Sequence, residues 1–186
     1  MTIAIIFVDQ GVQDQEFFYP YYRFLEDGYQ VKVITCGEGD IKGKYGIPIP
    51  ITLTCMDCYD IEKQLLKQCD IIYIPGGWQA PELMRQHNFI TNFIFRANEE
   101  GKIIASICHG PQVLISAKIV NKRKMTCYKG IKDDLINAGA YYLDEHVVVD
   151  DNIVTAPHYN DNPIFMKTLL QVYEGQRIKK LFHESM

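Results

Sequence analysis

The sequence predicts an α/β fold, a parallel and doubly wound sheet with helices between its strands. Short apolar runs recur at residues 3–8, 31–35, 71–74 and 103–107, as strands covered on both faces require. Helical patterns fall between them, and alternation of the two argues a parallel sheet. The segment 103–112, Ile-Ile-Ala-Ser-Ile-Cys-His-Gly-Pro-Gln, reads as a buried strand that turns at once into a helix, with Pro111 tolerated in the first turn. Such a junction is a nucleophile elbow: it strains the residue at the bend and points its side chain over the C-terminal edge of the sheet.

The elements follow in order. Residues 3–8 form the first strand and 9–15 a polar loop. Residues 16–26 carry Phe17, Tyr21 and Leu25 at helical spacing, with Phe18 and Tyr22 beside them. Pro20 must lie in the first turn or kink that helix, and Gly28 stops it. After the strand 31–35, residues 37–51 hold Gly37, Gly39, Gly43 and Gly46 and read as a small hairpin or loop excursion. Residues 61–69 are a short helix. The strand 71–74 ends in Pro75-Gly76-Gly77, where two glycines let backbone N–H groups approach a ligand closely. Asn88 is suited to cap a helix burying Phe89, Ile90, Phe93, Ile94 and Ala97, closed by Gly101. Beyond the elbow come a short strand at 125–128, a helix at 132–138 stopped by Gly139, and strands 147–149 and 153–155 flanking the turn Asp150-Asp151-Asn152. Asn162-Pro163 starts a last helix with Ile164, Phe165, Thr168, Leu169 and Val172 as its core face. Residues 1–174 thus form a single domain. The tail 175–186 keeps Ile178, Leu181 and Phe182 among basic residues, as either a short docking helix or a disordered end.

Composition sets limits on function. A chain of 186 residues, 47% hydrophobic and 23% charged, fits one soluble domain with a proper core. A net charge of -4 speaks against nucleic acid or an anionic membrane as partner. No apolar stretch approaches the ~20 residues of a membrane helix, and the N-terminus lacks a signal peptide's basic region. A cytoplasmic location follows. On that reading the six cysteines are reduced thiols. Cys55-Met56-Asp57-Cys58 lacks the second ligand pair that a zinc site needs, so no metal is expected.

In an open α/β sheet, ligands bind outside the carboxyl ends of the strands. Three loops meet there: 9–16, 75–82 and 108–110. Cys108 is the candidate nucleophile; as a buried structural thiol it would be inert. Backbone N–H groups at Gly77 or its neighbour and at His109 are candidate oxyanion donors. Glu16 can hold or deliver a proton, or simply complement a helix dipole; Asp14 competes as the local acid or serves as the helix cap. His158 emerges from a late strand and is a second candidate, while His87 and His146 look like surface residues. Trp78 and Tyr128 are candidates for a pocket wall.

These residues carry a family likeness. Ala-Ser-Ile-Cys-His-Gly-Pro-Gln at 105–112 resembles the nucleophile segment of the ThiJ/PfpI superfamily, in its PfpI-like branch. Ile-Lys-Asp-Asp-Leu-Ile-Asn-Ala-Gly at 131–139 is similar to the segment that follows it there. Ile74-Pro75-Gly76-Gly77 with Ala80-Pro81-Glu82, and Glu16 with Tyr19-Pro20, match in order. The resemblance implies a flavodoxin-like three-layer sandwich of the class I glutamine amidotransferase-like kind, with no obligatory cofactor. It implies Cys108 as a low-pKa, oxidisable nucleophile touched by the buried acid Glu16. It further implies His109 paired with a neighbouring subunit's Glu, the place that Glu82 occupies, and hence a homo-oligomer, a dimer or a hexamer.

Several functions remain open on these residues. One is an enzyme of small reactive carbonyls, of the cofactor-independent glyoxalase or deglycase type. Another is an intracellular cysteine peptidase acting on peptides through Cys108, His109 and Glu82. A third is a redox-sensing stress protein or holdase without turnover. An amidotransferase would need His-x-Glu where the chain reads His158-Tyr159-Asn160. The turn around Trp78-Gln79 is one residue longer than in PfpI relatives. Thr155-Ala156-Pro157-His158 stands where many of them carry an Arg. Both departures touch the pocket rim, with Gly76, Gly77, His109 and His158 the expected substrate-binding positions.

Overall fold

The computed structural model describes residues 2–184, with side chains for residues 2–179. A seven-stranded sheet forms its centre. In chain order the elements are β1 (Ile3–Val8), α1 (Asp14–Glu26), β2 (Gln30–Thr35), β3 (Leu53–Thr54), α2 (Cys55–Cys58), α3 (Glu62–Gln68), β4 (Ile71–Ile74), α4 (Ala80–Met84) and α5 (Asn88–Glu99). Then follow β5 (Ile103–Ile107), α6 (Pro111–Ser116), β6 (Lys124–Met125), α7 (Lys132–Asn137), β7 (Tyr141–Tyr142), β8 (Val148–Asp150), β9 (Ile153–Ala156) and α8 (Asn162–Glu184). The sheet order is β3-β2-β1-β4-β5-β9-β8, parallel throughout except for β8 against β9. This is the expected flavodoxin-like α/β fold.

The topology places the site. From β1 the chain winds outward to β2 and β3, then returns to β4 on the other side of β1. The order reverses between β1 and β4, and a crevice opens beyond their carboxyl ends. β1 and β5 each pair on both edges, so every residue of both strands is buried. Two groups of helices flank the sheet. The first includes α1 and α8, where Tyr73 of β4 meets the rings of Phe24 and Phe165. The second includes α3, α5 and α6, with Phe93 edge-on to Phe7 of β1.

Some expectations are corrected. On α1, Phe24 is buried and Leu25 exposed. Seven residues from Phe17 return within about 20° of the same face, whereas eight overshoot it. On α8 the core face is Phe165, Met166 and Leu169, and Ile164 is exposed. Asn162 donates its side-chain N–H to the Gln15 carbonyl (2.8 Å), which fixes how the helix starts. His87 holds the cap position of α5 and Asn88 is already helical. The strand expected at 125–128 is only Lys124–Met125, paired with β7 in a separate ribbon. The hairpin of β8 and β9 forms as expected, with Asp151 at φ +55°. Instead of a separate tail, α8 runs unbroken through Gly175. The side chains of Leu181 and Phe182, and residues 185–186 entirely, lie outside the described residues.

The cysteines are not all reduced: Cys36 and Cys55 form a disulfide, with Cα atoms 4.9 Å apart. Parallel register explains it. Thr35 of β2 is the partner of Thr54 of β3, so the next residue on each strand is a cysteine beside a cysteine. Composition argues about compartment and knows nothing of register. Cys58, Cys69, Cys108 and Cys127 are free.

Candidate active site

Cys108 sits where β5 bends, at φ +61°. A non-glycine residue in that region is strained, and its neighbours must hold it there. Its N–H donates to the Ala156 carbonyl on β9 (2.9 Å), and its carbonyl accepts the Tyr128 N–H (2.9 Å). The bend works only with small residues around it. A Cβ on Gly110 would lie 2.5 Å from the Ser106 hydroxyl and 2.6 Å from the Ile74 carbonyl. One on Gly76 would lie 2.7 Å from the Cys108 Cβ and 2.5 Å from the Glu16 carboxylate. The backbone N–H groups of His109 and Gly77 are close enough to the Cys108 sulfur to favour its thiolate.

Glu16 is fully buried on α1, and a proline four residues on helps to set its place. Pro20 has no N–H, so it leaves the Glu16 carbonyl without its helical donor. The hydroxyl of Tyr73, from β4, donates to that carbonyl instead (2.7 Å). The carboxylate Oε2 accepts the Gly76 N–H (2.9 Å), while Oε1 is buried without a hydrogen-bond partner, and the group lies beside Cys108. Burial raises its pKa to about 7, against smaller lowering effects from Cys108, Gly76 and Lys44. Burial also pushes the Cys108 thiol up, and the Glu16 charge pushes it further. Burial and the Glu16 charge oppose the low-pKa thiol implied by the family likeness, and the backbone N–H groups of His109 and Gly77 favour it.

His109 Nδ1 lies 3.3 Å from the Cys108 sulfur. Its ring stacks on Tyr128, with centroids 4.6 Å apart. Burial, and then the Lys44 charge, lower its pKa. His158 also faces this cleft; its ring packs against Tyr159 at 3.9 Å, and its Nδ1 accepts the Asn160 N–H. Cys108, His109, Glu16, Gly77 and His158 thus line one cleft of about 400 Å³, with Trp78 and Tyr128 in its wall as anticipated. Gly76 stands behind it, bonded to Glu16. Glu82, expected against a neighbouring subunit's His109 and not in its own chain's cleft, is exposed on α4, 3.8 Å from Arg85, and does not line this cleft. Among the described residues, no group of His, Cys, Asp or Glu side chains is arranged to hold a metal ion.

Gln13, Lys44, Tyr45 and Tyr159 also line the cleft, although nothing in the sequence marked them. Lys44 and Tyr45 belong to the glycine-rich excursion, which folds back over the end of β1. The Lys44 N–H donates to the Val12 carbonyl (2.8 Å), and the Gly11 N–H to the Lys42 carbonyl (2.9 Å). Asp14 is neither cap nor competing acid. It is buried, and its Oδ2 accepts the Tyr45 N–H (3.0 Å). Only the tertiary position of that loop reveals these roles.

Comparison with known proteins shows which chains this one is similar to. The family model described as DJ-1/PfpI family matches residues 1–172. The "Deglycase PH1704" of Pyrococcus horikoshii is 42% identical over 144 residues, 77% of this chain and 82% of that protein. The "Deglycase PfpI" of Pyrococcus furiosus is 38% identical over 160 residues, 86% of this chain and 92% of that protein. Among solved structures, a two-domain protein of Anabaena variabilis with DJ-1/ThiJ/PfpI-like and ferritin-like domains superposes with a TM-score of 0.85 at 34% identity. That match covers 92% of this chain and 48% of the larger one.

Proposed function

The chain belongs to the DJ-1/PfpI family, and within it we propose that the protein is a deglycase-type enzyme of small reactive carbonyls with Cys108 as nucleophile. The observation that carries this reading is the contact between a strained, cleft-facing thiol and a buried carboxyl group whose pKa lies near 7. A general base works best when its pKa lies near the working pH. The thiol need not ionise beforehand. Glu16, as carboxylate, takes the Cys108 proton while the sulfur adds to an aldehyde carbon, then passes it to the carbonyl oxygen. The backbone N–H groups of Gly77 and His109, close to the sulfur, serve as the donors for the oxyanion that forms beside it.

For an α-oxo aldehyde the product of addition is a hemithioacetal. Loss of its C1 proton and protonation at C2 give the thioester of a 2-hydroxy acid, with neutral His109 or Glu16 moving the proton. Water cleaves the thioester, so the net change is R–CO–CHO plus water to R–CHOH–COOH, without an external oxidant. The same thiol addition is open to the carbonyl carbon of a glycated amine.

The test is conversion of methylglyoxal to lactate by the wild type and by Cys108→Ser. Turnover is expected in the wild type and only background in the variant. Undiminished turnover in Cys108→Ser would remove the nucleophile. No turnover by freshly reduced wild type, together with cleavage of peptides, would replace the carbonyl reading with the peptidase one.

A further inference from the structure

Two charged side chains line the cleft, Glu16 and Lys44. Glu16 is buried beside Cys108 and holds the Gly76 N–H through Oε2. The Lys44 ammonium, by contrast, makes no hydrogen bond or ion pair among the described residues. Among the described residues no carboxylate lies within ion-pair distance of it. Its ammonium lies over the Tyr45 ring, 5.6 Å from the centroid. Apart from Cys108 and Gly77, the remaining lining of the cleft is aromatic, histidine and amide.

A surface lysine without a partner is ordinary, but the backbone beneath this one is fixed. Lys44 and Gly11 tie the excursion to the end of β1 through backbone hydrogen bonds of 2.8 and 2.9 Å. Gly43 lies so close to Asp14 that a side chain there would collide with the carboxylate. The Tyr45 N–H is held by Asp14, and the Cys36–Cys55 disulfide closes the base of the loop. From this position the ammonium is near enough for its charge to lower the pKa of both Glu16 and His109. A ligand whose carbonyl reaches Cys108 shares the cleft with a positive charge that has no direct ion-pair partner among the described residues.

We propose that Lys44 is a specificity-determining residue of this cleft, selecting α-oxo aldehydes that carry a carboxylate tail. The inference rests on the carbonyl reading above and names its substrate class. Lysine suits the task as a mobile point charge on a fixed backbone, and it favours the charged ligand through binding rather than chemistry.

The experiment compares two substrates of equal length, 4,5-dioxopentanoate and 2-oxopentanal, which differ in a terminal carboxylate against a methyl group. The products are 2-hydroxyglutarate and 2-hydroxypentanoate. Wild type is expected to prefer the anion in kcat/KM, through KM. Lys44→Met should lower that preference about tenfold, Lys44→Arg should keep most of it, and added salt should erode it. Any effect of Lys44 on Glu16 or His109 is common to both substrates and cancels in the ratio. An unchanged ratio in Lys44→Met, or a wild type indifferent to charge, would overturn the proposal and leave the carbonyl reading standing. Turnover that survives Cys108→Ser would overturn the carbonyl reading instead. Where neither aldehyde is turned over, alkylation of Cys108 by iodoacetate against iodoacetamide reads the same charge preference. It too must fall in Lys44→Met, and a Cys108 inert to both reagents defeats both readings.

Discussion

Glu16 links chemistry to stability through one proton. Its folded pKa, about 7, lies above the ordinary 4.5, so the folded chain binds this proton more tightly than the unfolded chain does. The resulting stability is complete below 4.5 and is lost as pH rises through about 7. Over that interval the loss amounts to about 3 kcal/mol. Catalysis runs the other way, because the general base must be the carboxylate, the very form that burial disfavours. The wild-type kcat/KM for methylglyoxal should therefore rise through pH 7 while resistance to urea declines. Glu16→Gln keeps the shape and removes the titration. Its activity should fall by about 10²–10⁴, and its loss of stability between pH 4.5 and 8 should shrink by about 3 kcal/mol. Comparing variant with wild type isolates Glu16 from Asp9, whose pKa burial also raises. An inflection near 7 that persists in Glu16→Gln would assign the base elsewhere.

The elements hold that carboxyl through a defect in α1. Pro20 leaves the Glu16 carbonyl without a helical donor, and Tyr73, rooted in the middle of β4, supplies one across the core (2.7 Å). Strand and helix are thus coupled at the catalytic residue. Tyr73→Phe strands a buried carbonyl and should cost about 1–3 kcal/mol. In a Pro20→Ala background an amide N–H becomes available, and Tyr73→Phe should then cost clearly less. The coupling in this double-mutant cycle, measured by urea unfolding, is the prediction. Additive costs would mean that the two groups do not share the carbonyl. The sequence shows Glu16 and Pro20 but not this connection. Pro20 was legible as a kink in a helix, and Tyr73 only as one apolar member of a strand, because periodicity tells which residues are buried and not which polar atoms meet.

Across the whole molecule, legibility follows how local the signal is. The strands β1, β4 and β5 and the elbow were readable because burial on both faces leaves a run of apolar residues, and a strand followed at once by His-Gly-Pro has few other forms. Cys108, His109 and Gly77 lie at or just beyond strand ends and Glu16 in the first turn of the helix after β1, so the topology that gathers those ends gathered them. Lys44 and Tyr45 were invisible, since they reach the cleft through an excursion whose path depends on backbone contacts to residues 11–14. The Cys36–Cys55 disulfide escaped notice for the same reason, being a product of β2–β3 register. That bond closes the loop that carries Lys44 and Tyr45, with a sequence separation of 19. Closing a loop of this length restricts the unfolded chain by about 3 kcal/mol. Reduction, or Cys36→Ser with Cys55→Ser, should lower stability by about that amount in urea. Since β3 is two residues long and at the sheet edge, the loss should also loosen the excursion at its base while Cys108 and Glu16, in the centre, keep their places. The expected signature is selective: in amide hydrogen exchange, protection falls at residues 41–47 and not along β1, β4 or β5. Equal stability with and without reductant, or uniform loss of protection across the sheet, would show that the disulfide does not anchor this wall of the cleft.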